Sequence, residues 1–176
     1  MGKRQLDFRD VIRNLAKIKE IKSIADVVVE IGGKTVDIKE SDFKFNEWTL
    51  FKLIAHLLYV PLYTSIIKNY FEEYYYIDLF AGSGMGYLVR GNRRVRIAGS
   101  ALIALSFAKP QFTRVYLNDK DQGRIELLRK RIYALAEIPD EKREMYGFPL
   151  DTINIQNIEF SYQDANIVIE KIMKNI

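Results

Sequence analysis

The sequence predicts an α/β fold with a parallel sheet, and three observations carry that expectation. A run of aromatic and apolar residues ends in a glycine-rich loop, helix-like and strand-like segments alternate after it, and an acid follows each of three successive strands. Residues 74–80 (Tyr74-Tyr75-Tyr76-Ile77-Asp78-Leu79-Phe80) have the β propensity of a buried strand and lead into Ala81-Gly82-Ser83-Gly84-Met85-Gly86. Beyond the loop, the pattern predicts a helix over 101–108, a strand over 114–117, a helix over 122–137, a strand over 152–158 and a last helix over 165–175. This order implies βαβ units with right-handed crossovers.

Ahead of the glycine loop, residues 26–40 hold two β-branched runs around Gly32-Gly33, which predicts a β-hairpin because both glycines tolerate a tight turn. Residues 42–70 read as helix, with Leu50, Leu53, Ile54, Leu57, Leu58 and Leu62 at a 3.6-residue period. Pro61 is expected to kink or divide that helix, and Trp48, the only tryptophan, to anchor it on the core. His56, the only histidine, falls in this apolar helix and reads as a core residue.

A chain of 176 residues with 48% apolar content suits a single sizeable core. It contains no cysteine, which excludes disulfides, thiolate metal sites and cysteine nucleophiles. No metal site is expected. The greasiest stretch, residues 53–63, is interrupted by His56 and Pro61 and reads as too short and too polar to cross a bilayer. The N-terminus shows no secretory pattern, so a cytoplasmic protein off the membrane is expected. The net charge is +4, and residues 1–25 hold seven bases against three acids. That basic segment suits nucleic acid or an acidic partner, but Val11, Leu15 and Ile18 recur at helical spacing and favour an amphipathic helix packed on the domain.

The composition of the loop narrows its ligand. No lysine followed by serine or threonine closes it, which disfavours a phosphate-cradling P-loop. Glycines at 82, 84 and 86 depart from the G-x-G-x-x-G spacing, so a dinucleotide-dependent oxidoreductase is the second alternative. Asp78 beside the loop would repel phosphate but suits a ligand bearing an ammonium and a sulfonium, as S-adenosylmethionine does. A structural strand-turn is the competing reading. After the next strand, Asn118-Asp119-Lys120-Asp121 places acids where open α/β sheets bind ligands. Asp119 suits a ribose, Asp121 is the alternative if the strand ends later, and Asp121 also suits a helix N-cap. Asp164 follows the third strand and is a further N-cap candidate.

The string Asp78-Leu79-Phe80-Ala81-Gly82-Ser83-Gly84 resembles motif I of the class I S-adenosylmethionine-dependent methyltransferases. That resemblance implies a Rossmann-like cofactor-binding half. In it Asp78, Phe80, Ala81, Gly82 and Gly84 would surround the methionine part, Asp119 the ribose, and Asp164 with the backbone N–H of Ala165 the adenine. Phe80-Ala81-Gly82, the polar insert over 87–98, Gly99-Ser100-Ala101-Leu102, Phe112 and Asn118-Asp119 resemble the three-Cys-motif partner proteins more narrowly. That second resemblance covers about residues 46–170 and implies a methyltransferase-like domain working beside a partner protein. Residues 1–45 form an extension outside it, and residues 46–176 the methyltransferase-like domain. Ser100 is expected to cap the helix after the insert.

Arg90, Arg93, Arg94 and Arg96 in the insert suit nucleic-acid phosphates or an acidic partner, against the alternative of a plain exposed hairpin. No residue is assigned to catalysis. The strand that carries the catalytic motif in the resembling families has no counterpart before Ile176, and Asp140, which follows Pro139 in a polar loop, does not replace it. The fold is therefore expected to lack the C-terminal strands, leaving the first strand as an open edge. Three explanations follow: a fragment of a longer protein, a half completed by self-association or another subunit, or a reduced domain whose N-terminal hairpin covers the edge. A non-catalytic scaffold subunit of the same fold is the principal alternative function.

Overall fold

The computed structural model describes residues 15–146 and 153–175. Its first helix, α1 (Leu15–Gly32), replaces the expected hairpin. Ile21, Ile24, Ala25, Val27 and Val28 are all fully buried, so burial of one helical face overrides the strand preference of the valine run. Gly33–Thr35 forms a single 3-10 turn at its end. Val11 lies outside the described residues.

A two-residue strand, β1 (Phe43–Lys44), follows and leads into α2 (Glu47–Ile67). The α2 helix starts later than its periodicity suggests because Asn46 caps it, its side chain accepting from the Thr49 N–H at 2.8 Å. Pro61 does not divide the helix, which continues through it. Leu53, Leu57, Val60 and Thr64 face the core, whereas Trp48 is 75% exposed and does not anchor the helix. At 21 residues, α2 is long and apolar enough by length and composition to cross a membrane, which residues 53–63 alone did not suggest. Buried core helices meet the same criterion.

The strands β2 (Tyr75–Asp78), β5 (Arg114–Asn118) and β6 (Ile158–Ser161) form one parallel sheet in the order β2-β5-β6. Tyr76 pairs with Val115, and Leu117 with Phe160. The third strand begins later than the expected 152–158 because Asn154 accepts from the Gln156 N–H and turns the chain over Ile155–Asn157. Among the described residues β2 pairs only with β5, so its other edge carries no strand there, and residues 26–32, expected to begin a covering hairpin, are helical instead.

The glycine loop runs from β2 into a hairpin of β3 (Met85–Arg90) and β4 (Arg93–Ala98), which is the polar insert. The short β1 lies parallel to β3, with Phe43 opposite Gly86. A side chain at 86 would meet the Phe43 carbonyl oxygen at 2.6 Å, so this approach needs glycine. The helix α3 (Ser100–Phe107) is capped by Gly99 rather than Ser100. The helix α4 (Gln122–Ala136) is capped by Asp121, as its sequence indicates. An unexpected helix, α5 (Asp140–Tyr146), starts at the residue read as loop, and its buried Arg143 donates to the Leu135 carbonyl in the last turn of α4 and to the Ile138 carbonyl just beyond it.

One face of the parallel sheet, with Tyr76, Val115, Leu117 and Phe160, packs toward the main core formed with α1, α2, α3 and α4. On the other face Ile77, Leu79 and Tyr116 meet Val168 and Ile172 of α6 (Ala165–Asn175). The result is an α/β fold with two small sheets, compatible in general with a Rossmann-like arrangement.

Inside the main core, Arg131 of α4 is 0% exposed. It grips Asp42 with two bonds of 2.9 and 2.7 Å and donates to the carbonyls of Val36, Asp37 and Ser83. Burial works to raise the Asp42 pKa, but the Arg131 guanidinium and the Ser83 hydroxyl more than offset it and hold the carboxyl below its ordinary value. Truncating one partner strands the other charge. Arg131→Ala is expected to cost about 3–5 kcal/mol in urea unfolding, whereas Lys142→Ala, which breaks a partly exposed pair with Glu30, costs under about 1 kcal/mol.

Candidate functional site

The carboxyl ends of β2, β5 and β6 converge, and three loops leave from them. Their geometry begins with glycine. Gly82 and Gly84 sit at φ +58 and +78, a left-handed region closed to most side chains. A side chain at 84 would also meet Leu128 Cδ1 at 2.5 Å, so the loop lies tight against α4.

Asp119 holds this loop. It is 8% exposed; its Oδ2 accepts the Gly82 N–H at 3.1 Å and its Oδ1 the Asp121 N–H at 3.0 Å. The ribose candidate is therefore already engaged with backbone, and only its remaining lone pairs are left for a ligand. Asn118, which sequence reasoning did not single out by itself, staples two loops together. Its Nδ2 donates to the carbonyls of Leu79 and Gln163, and its Oδ1 accepts the Gln163 N–H. A polar residue that closes an otherwise apolar buried strand was the available signal.

Beside the loop lies an open hollow lined by Phe43, Phe45, Thr49, Phe80, residues 81–85 and Ser100. Phe80 is 78% exposed. Phe43 lies over Gly82 and beneath the Arg124 guanidinium, 4.1 Å from its ring centre. Asp78 stands behind Ser100: its Oδ2 accepts the Ser100 O–H at 2.5 Å and the Tyr76 O–H at 3.3 Å, and its Oδ1 accepts the Phe80 N–H. His56, read as a core residue, brings Nε2 within 3.3 Å of the Tyr76 hydroxyl.

Among the sequence candidates, Asp78, Phe80, Ala81, Gly82, Gly84 and Asp119 gather at this end of the sheet. Asp164 is exposed and accepts the Asn166 N–H at the start of α6, with Ala165 as the first helical residue. None of Asp78, Asp119 and Asp164 lines the hollow itself, and Asp78 reaches it only through Ser100. No cluster of acids and His fit to hold a metal occurs among the described residues.

The four arginines separate. Arg90 and Arg93 face each other at the exposed hairpin tip, and Arg94 stacks 4.7 Å from the Tyr87 ring centre. Arg96 instead makes a bidentate pair with Asp37 at 2.6 and 2.8 Å, which ties the hairpin to the segment after α1. It belongs to the framework. Comparison with known proteins finds no matching family model, no similar curated protein and no similar solved structure.

The Arg96 hydrogen bonds hold Asp37 down to a pKa of about 2. Because the folded value lies below the unfolded one, the pair contributes stability above the ordinary carboxylate range and loses it as pH falls toward about 2. Carbon-detected NMR titration is expected to show the Asp37 carboxyl returning toward its ordinary value in Arg96→Ala.

Proposed function

We propose that this chain is a methyltransferase-like domain that binds S-adenosylmethionine at the glycine-loop end of its parallel sheet. The observation that carries the reading is the joining of the three loops after β2, β5 and β6 through Asn118 and Asp119 around a loop that requires glycine at 82 and 84. Open α/β sheets take ligands at their carboxyl ends. The chemistry of the site supports this ligand over a dinucleotide, because Ser100 lines the hollow with the Asp78 carboxylate behind it, an arrangement that disfavours pyrophosphate and welcomes an ammonium.

When bound, S-adenosylmethionine would supply an electrophilic methyl group. The chain's own residues would bind and orient it: Asp78 and Ser100 toward the ammonium, Gly82 and Gly84 by letting backbone approach closely, and Phe80 by covering it from solvent. No residue is assigned to the methyl acceptor, so catalysis is not assigned to this chain alone. A partner protein, or a second copy, completing the sheet at the free edge of β2 fits the same reading, and a cytoplasmic location off the membrane goes with it.

Calorimetric titration with S-adenosylhomocysteine tests the site. Saturable binding is expected, with no comparable binding of a nicotinamide dinucleotide. Ser100→Ala is expected to weaken affinity about tenfold or more. Asp119→Ala would abolish binding chiefly by releasing the Gly82 N–H. No binding by a folded chain would overturn the reading.

The exposed Arg90, Arg93 and Arg94, which form no ion pair among the described residues, favour nucleic acid as the acceptor. On that basis Arg90→Glu with Arg93→Glu is expected to weaken binding of a short single-stranded RNA and to reduce the salt slope by about 0.7 for each phosphate no longer neutralised. An unchanged slope would remove the hairpin from the acceptor site.

A further inference from the structure

Behind the hollow runs a chain of hydrogen-bonded side chains, of which the cofactor reading uses Ser100 and Asp78 and leaves Tyr76 and His56 without a role. From outside inward it passes through Ser100, Asp78, Tyr76 and His56, on three separate elements: α3, β2 and α2. Ser100 donates its single proton to Asp78, its hydroxyl also interacts with that of Tyr76, and its oxygen keeps acceptor capacity at the hollow that the residue lines. A ligand group placed there must donate, and a carboxylate behind the serine favours a donor with positive charge.

Tyr76 has one proton and two acceptors at the same 3.3 Å, Asp78 Oδ2 and His56 Nε2. With His56 neutral and Nε2 unprotonated, the Tyr76 proton can turn to the ring, and Asp78 keeps only the Ser100 donor on that oxygen. With His56 protonated, Nε2 donates to Tyr76, the tyrosine proton must turn to Asp78, and a cation is added behind the carboxylate. Both changes reduce the negative potential that Asp78 and Ser100 offer to the hollow.

We propose that His56 and Tyr76 are positioning residues for Asp78, and that together they set how strongly the Ser100 wall of the hollow takes a ligand's primary ammonium group. The titratable and charged groups facing His56 are Tyr76 and Asp78 of β2. The backbone of Ser100 approaches from α3, and Lys52, one turn earlier on α2, is exposed. Burial pushes the His56 pKa below its ordinary value, against the opposing pull of Asp78 and the Ser100 backbone, so the neutral, ammonium-accepting arrangement is the one present at neutral pH. The inference rests on the reading of the hollow as the site for the amino-acid end of an adenosyl ligand.

The single histidine makes the test direct. NMR titration of the His56 ring in the free protein is expected to move to lower pH in Asp78→Asn, and to change in Tyr76→Phe, which removes only the hydroxyl. Affinity is then measured across pH about 5 to 8 for S-adenosylhomocysteine and for 5′-methylthioadenosine, which lacks the ammonium. The first ligand is expected to bind up to about tenfold more weakly below the His56 titration for a one-unit displacement of that titration on binding. The second is expected to show no such step, and His56→Gln to remove it from the first. Should His56→Gln not fold, Tyr76→Phe serves the same comparison.

Equal pH dependence of the two ligands, or a step that survives both variants, overturns this inference and leaves the adenosyl site standing. A His56 titration indifferent to Asp78→Asn also overturns it. Failure of both ligands to bind the folded chain overturns the adenosyl reading itself, and the ammonium role with it.

Discussion

The buried pair of Arg131 and Asp42 is the constraint on which the other parts depend. A guanidinium with no exposed surface must find acceptors for its donors inside the protein, and here they come from Val36, Asp37, Asp42 and Ser83. Those acceptors belong to the segment after α1 and to the glycine loop, while the arginine itself belongs to α4. One side chain thus joins three regions far apart in sequence. The Ser83 hydroxyl, bonded to Asp42, makes the loop part of the same network. Asp42, which periodicity would assign to a helix, is held out of it by this role.

From that clamp the site follows. With Ser83 fixed from one side and Gly82 held by Asp119 from the other, the loop between β2 and β3 has little freedom. Asn118 then sets the spacing between the β2 and β6 loops. The parallel sheet supplies the directions, and buried polar residues at its carboxyl end supply the positions. Arg96 and Asp37 add a more exposed tie that orients the hairpin over the same segment.

Much of this architecture was legible in the sequence, because its signals are local. The glycine loop, the strand before it, α4 with its Asp121 cap and α6 all follow from residues close to one another along the chain. The errors arise where distant parts of the chain decide. The valines of α1 prefer strand by propensity, yet they form a helix because complete burial against α4 and β4 outweighs that preference. Trp48 has the composition of an anchor and lies on the outer face. Arg96 looks like its three neighbours in sequence and differs from them through Asp37 and Asp26, which lie well before it in the chain. Asn118 and His56 carry no motif by themselves, and their roles appear only when strands and helices are brought together.

The tying of the glycine loop to remote segments makes its order a property of the whole fold. Release of the Gly82 N–H requires Asp119 to let go, and release of Ser83 disturbs Arg131 and, through it, the chain that follows α1. Local opening of the loop is thereby coupled to the most buried parts of the core, and its amides belong with the slow-exchanging interior rather than with the fast-exchanging surface turns. A molecule seated against the loop would therefore protect α1 as well, by a free energy that grows as RT ln(1 + c/Kd) with its free concentration c.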